Sequence, residues 1–136
     1  MPVSEEDVAL DALIISILKK TKELLEAKAA MAGRTEAGLL DMARARMALG
    51  SSKLSRHSFP YRFEAQTRVL VADGKPPEVV TALLGDAPSD PSAHRPASPL
   101  KWFGWVVPAS LRAAQKSFMA GLNRAADVAA LQAEVD

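Results

Sequence analysis

Apolar residues recur along the first third of the chain in alternating steps of four and three. Leu10, Ile14, Ile17, Thr21, Leu24, Lys28, Met31, Thr35, Gly38, Met42, Ala45 and Leu49 keep that spacing, and Leu13, Leu18 and Leu25 widen the stripe. Such a repeat is a coiled-coil seam, because residues three or four apart return to one face of a helix. Ser4-Glu-Glu-Asp7 has the shape of a capping box, and Val3 and Val8 stand where a hydrophobic staple would close over it. Acidic residues crowd the first turns while Arg44 and Arg46 occupy the last, which suits the helix dipole. Gly50-Ser51-Ser52 supplies the stop. Gly33 and Gly38 each cost about 1 kcal/mol relative to alanine inside a helix. The stripe keeps its phase across both, which predicts one helix over residues 4–49 rather than two shorter ones.

A second periodic segment closes the chain. Leu111, Ala114, Phe118, Gly121 or Leu122, Ala125, Val128 or Ala129, Gln132 and Val135 line one face of a helix over residues 108–135. Most of them are small, which allows close approach. Two seams in one chain pack most simply antiparallel, crossing at about +20°. The expected fold is all-α: an antiparallel coiled-coil hairpin of a long N-terminal and a shorter C-terminal helix, with a mostly irregular middle insertion. Residues 1–50, 51–98 and 99–136 are its parts, within one domain. Leu24, Met31, Met42 and Leu49 form its seam with Leu111, Phe118, Leu122 and Ala125. The helices differ in length, about 69 Å against about 42 Å at 1.5 Å per residue. The second therefore runs out near residue 22, and Val8, Leu10, Leu13, Ile14, Ile17 and Leu18 have no partner in the chain. An unpaired stripe of this kind marks a binding surface, a homodimer seam or a truncated chain. A partner helix is expected there.

Between the seams the material changes. Phe59-Pro-Tyr-Arg-Phe63 and Arg68-Val-Leu-Val71 read as extended segments that lie on the hairpin or pair as a short two-stranded patch, and Asp73-Gly-Lys-Pro-Pro77 is turn chemistry. Pro77 to Leu84 suits two turns of helix ended by Gly85, and Asp86 to Pro99, with four of the nine prolines, reads as a disordered linker. Then Trp102, Phe103 and Trp105 crowd into four positions before Pro108. Gly104 lets the backbone turn between the rings, and Pro108 suits the first turn of a helix. Two readings of this aromatic joint stand. The rings cap the open end of the hairpin over Met42, Met47 and Leu49, or at least one of them stays exposed as an anchor for a partner.

Composition narrows the chemistry. The apolar fraction of 49% is inflated by alanine, so few bulky side chains remain for a compact core, which favours an elongated object. With 17 basic and 16 acidic residues the net charge is +1, and no bulk field draws the chain to nucleic acid or an anionic membrane. The absence of cysteine removes disulfides and thiolate metal sites. The longest apolar run, Ala12 to Leu18, falls far short of the roughly 20 residues that span a bilayer, and the acidic N-terminus is unlike a signal peptide. Direct membrane insertion is not expected. His57 and His94 read as solvated loop residues with no carboxylate at ligand or triad spacing. Glu5, Glu6, Asp7 and Asp11 serve the helix dipole, and Lys19-Lys-Thr-Lys22, interleaved with Glu23 and Glu26, is a solvated flank. No glycine pattern cradles a phosphate. Neither catalysis nor a cofactor is expected.

Two patches resemble the small coiled-coil assembly factors of the eukaryotic vacuolar-type proton ATPase. One is Gly38-Leu-Leu-Asp-Met-Ala-Arg-Ala-Arg46 with Ala48 and Gly50. The other runs from Pro99-Leu100 through Trp102-Phe-Gly104, Val107-Pro108, Ser110-Leu-Arg112, Ala114-Gln115, Ser117-Phe118, Gly121-Leu122, Ala125-Ala-Asp127 and Leu131-Gln132. The resemblance covers about the first 50 residues and the last 40. It implies a chaperone without turnover on the cytosolic face of the endoplasmic reticulum. There a small membrane-spanning assembly factor would hold it, and it would act on the large membrane subunit of the pump. This sequence departs from the family in its short, barely charged middle and in ending at Asp136, where relatives continue their last helix. The surfaces expected to carry partner contacts are Leu10, Leu13, Ile14, Ile17 and Leu18, with Trp102, Phe103 and Trp105. A self-associating structural coiled coil, its free stripe closing a homodimer, is the alternative. A nucleic-acid or lipid binder needs basic surface that the net charge does not supply.

Overall fold

The computed structural model describes residues 4–62, 65–75, 77–81 and 98–135. Helix α1 spans Glu5–Leu49 without a break. Its first turn is closed by the expected capping box: Ser4 accepts from the Glu6 backbone N–H through its hydroxyl, and the Asp7 carboxylate accepts from the Ser4 backbone N–H. Val3, the outer half of the expected staple, lies outside the described residues. At the other end Gly50 takes a φ of +85° and donates its N–H to the Arg46 carbonyl, a conformation that a side chain would disfavour. Helix α2 spans Ala109–Val135 and begins on the Pro108 carbonyl, which accepts from the N–H groups of Leu111 and Arg112.

The two helices pack side by side and run in opposite directions. Lys20 meets Glu134, Thr35 lies against Gly121, and Gly38 lies against Phe118, so residue numbers rise along one helix as they fall along the other. The buried or half-buried members of the α1 series are Thr21, Leu24, Met31, Gly38, Met42, Ala45 and Leu49, while Lys28 and Thr35 stay exposed. On α2 the buried positions are Leu111, Ala114, Gly121 and Val128. Where periodicity left a choice, Gly121 and Val128 face inward; Leu122 and Ala129 are exposed, as are Gln132 and Val135. The interface is tight because both sides offer small residues. A Cβ placed on Gly38 would stand 2.9 Å from the Phe118 ring, and one on Gly121 would touch Thr35 at 3.6 Å. Gly33 faces open space and supports no contact. Gly33→Ala is therefore expected to raise stability by about 1 kcal/mol, the helix-propensity difference, read as a higher denaturation midpoint.

The middle corrects two expectations. The chain is not purely α-helical, since strand β1, Thr67–Leu70, pairs antiparallel with β2, Glu78–Thr81, placing Thr67 opposite Thr81 and Leu70 opposite Glu78. The helix expected over Pro77 to Leu84 is replaced, over its described part, by this strand. Val79, Val80 and Thr81 are β-branched, a segment of two turns is too short to hold a helix alone, and β1 offers a partner. The two-stranded patch is thus made by Thr67 to Leu70 with a later segment, and among the described residues not with Phe59 to Arg62. The turn at Asp73-Gly74-Lys75 joins the strands, with Gly74 at a φ of +74° and the Lys75 N–H donated to the Ala72 carbonyl. Strand β2 lies against α2. The linker expected over Asp86 to Pro99, apart from Ser98 and Pro99, and His94 within it lie outside the described residues.

Candidate partner-binding surface

Helix α2 ends at Val135, level with Lys20, so the first four turns of α1, about 22 Å, extend beyond it. Val8, Leu10, Leu13, Ile14, Ile15, Ile17 and Leu18 stand there, each 51–63% exposed. Leu10, Ile14 and Ile17 continue the row whose later members, Lys28 and Thr35 apart, are buried or half-buried where α2 packs. The exposed stripe is the same helix face on the far side of Lys20. Leu25 is also exposed, on a flank that α2 does not reach. Lys20 closes the paired region: its ammonium donates to the Glu134 carboxylate, and that bond, with the carboxylate's charge, raises the Lys20 pKa. A raised lysine contributes fully below its ordinary pKa and is lost only as pH climbs through the folded value. The clasp is therefore intact at neutral pH.

Beside the seam, Phe118 borders an open apolar groove of about 550 Å³, which Met31, Thr35, Pro99, Gln115, Met119, Leu122 and Ala125 also line. Of the expected seam residues, Leu24 and Leu111 are buried and Met31, Met42, Leu49, Phe118 and Ala125 are half-buried, while Leu122 stands at the groove's rim.

The aromatic joint divides its rings. Pro99–Phe103 forms a short 3-10 helix, and Gly104 turns the chain at a φ of +118°. Trp102 and Phe103 are half-buried, and Phe59 packs edge-on against both, with centroids 5.7 and 6.2 Å away. Trp105, past the turn, is fully exposed, and Val106 follows it into solvent. Met47 is 86% exposed, so the rings do not cover it, contrary to the capping reading. Phe59 takes that place, because the chain after Gly50 folds back to meet the joint.

The same end collects charge. Arg44, Arg46, Lys53, Arg56, Arg62, Lys101 and Arg112 are all exposed, and residues 42–62 and 98–112 contain no Asp or Glu. Net charge cannot reveal this distribution. Among the described residues no three His, Cys, Asp or Glu side chains are grouped to hold a metal ion, and no helix is long and apolar enough to cross a membrane. His57 is exposed in the 3-10 turn Arg56–Ser58.

No protein-family model matches the chain, and no solved structure does. Curated relatives do. The chain is 34% identical to vacuolar ATPase assembly protein VMA22 of Mus musculus over 156 aligned positions, 31% identical to that of Homo sapiens over 150, and 32% identical to that of Bos taurus over 149. Each alignment covers 93% of this chain and 83% of the relative.

Proposed function

The chain belongs to the family of the vacuolar ATPase assembly protein VMA22, and we propose that it supports assembly of a vacuolar-type proton ATPase as a scaffold without turnover. In this reading it works at the cytosolic face of the endoplasmic reticulum, held by a small membrane-spanning assembly factor, and serves the membrane sector through the pump's large membrane subunit. Coiled-coil contacts carry the first of these partners. The observation that supports it is the exposed stripe from Val8 to Leu18. A row of leucine and isoleucine left in water at helical spacing gains about 25 cal/mol for each Å² that a partner helix covers, and it already has the phase of a helix-pairing seam.

Affinity capture from detergent-solubilised endoplasmic-reticulum membranes, followed by mass spectrometry, tests this reading. Proton-pump subunits together with a small membrane-spanning protein are the expected recovery, and finding neither would overturn the assignment. Ile14→Asp combined with Ile17→Asp is expected to abolish that recovery while leaving the helical circular dichroism largely intact, since both residues are about half exposed and precede Lys20, which meets the last turn of α2. A general loss of helix would remove the argument for a free docking stripe. A concentration-independent dimer in light scattering would instead favour self-association through the stripe.

A further inference from the structure

We propose that the joined end of the two helices is a membrane-surface contact, which lays Trp105 and its aliphatic neighbours on a bilayer containing anionic phospholipid. The surrounding basic side chains hold it there. Three features converge on this end. Trp105, Tyr61, Val106 and Met47 are 82–104% exposed, although an indole and a phenol gain from a boundary that is apolar on one side and wet on the other. The loop after α1 and the joint are brought together by Phe59 packing on Trp102 and Phe103, so their charges gather at one end of the molecule. Arg46, Lys53, Arg56, Arg62 and Lys101 have no ion partner among the described residues, and only Arg44 is engaged, with Asp41 at 3.0 Å. Basic charge beside exposed aromatics is the combination that adsorbs a protein to an anionic leaflet.

A lipid surface fits better than nucleic acid because Val106 and Met47 gain by entering the acyl boundary and have nothing to stack on a base. Helix α1 then sets the geometry. Its stripe at Ile14 is about 50 Å from Met47 along the axis, so tip and stripe can be engaged at once. The contact is peripheral, and it adds a direct hold on the membrane to one mediated by a partner. It does not depend on which protein occupies the stripe.

The full chain should co-sediment with vesicles of phosphatidylcholine containing about 30% phosphatidylserine and far less with phosphatidylcholine alone, and salt at about 0.5 M should release it because screening shortens the reach of the charges. Lys53→Glu with Arg56→Glu is expected to weaken partitioning at least about tenfold, and Trp105→Ala by roughly tenfold. Lys19→Glu with Lys22→Glu, at the far end of the molecule, should leave it unchanged. In a Trp102→Phe chain, Trp105 emission should shift to the blue on binding and be quenched by brominated acyl chains. Absence of binding at low salt would overturn the proposal, as would binding indifferent to Trp105 and to the tip charges, or RNA bound in preference to the vesicles. Failure here would leave the assembly reading standing, since capture through the stripe is read separately.

Discussion

Leu111→Ala is expected to lower the stability of the fold by about 2–4 kcal/mol, read as a lower urea midpoint in far-ultraviolet circular dichroism with the slope unchanged. Leu111 is 3% exposed and lies in the paired region near the joint, where Ala45 and Ala114 are also almost fully buried. Removing its isobutyl group leaves a cavity that buried alanines cannot fill, because they have no rotamer to swing into it. The buried apolar residues are few, with Leu24 and Val128 the others larger than alanine among the described residues. One such loss is therefore a large part of the roughly 5–15 kcal/mol available to a domain. Leu25→Ala, at an exposed position, should stay within about 0.5 kcal/mol.

Gly38→Leu should destabilise by about 2–3 kcal/mol through overpacking. The first carbon of any side chain there meets three atoms of the Phe118 ring at 2.9–3.0 Å, so the ring must leave its seat. For Gly38→Ala the displacement is small, because Phe118 borders the open groove, and the helix-propensity gain of about 1 kcal/mol offsets much of it. A leucine has no such outlet and pushes α1 and α2 apart. Phe118→Ala in the same chain should recover part of the loss. The double variant is then less destabilised than the two single changes added, and the interaction energy from the four chains measures the contact. Strict additivity would mean that Gly38 and Phe118 do not meet in solution.

The two glycines explain how much the pattern alone could say. The repeat keeps its phase across Gly33 and Gly38, and both are legible as helix-interior residues, with Gly38 on the seam and Gly33 off it. Only the packing shows what that means: Gly33 has nothing near it, and Gly38 is the seat of a phenylalanine. The aromatic joint was legible as a cluster, but not the partition of its rings, because Phe59, more than forty residues earlier, supplies the surface on which Trp102 and Phe103 rest. The strand at Glu78–Thr81 was missed because a short β-branched segment takes its structure from the partner it finds, and β1 is a partner outside any local window.

What the chain's order of residues determined by itself was the extent of both helices, the caps of α1, most of the phase of the two apolar faces, and the unequal length that leaves leucines and isoleucines exposed at the start of α1. These follow from interactions within a few residues and from a rise per residue that hardly varies. Tertiary structure decided the inward choice of Gly121 and Val128, the exposure of Trp105 and the gathering of positive charge at one end of a nearly neutral molecule. Those depend on segments far apart in sequence, and no periodicity within either one records where the other will lie.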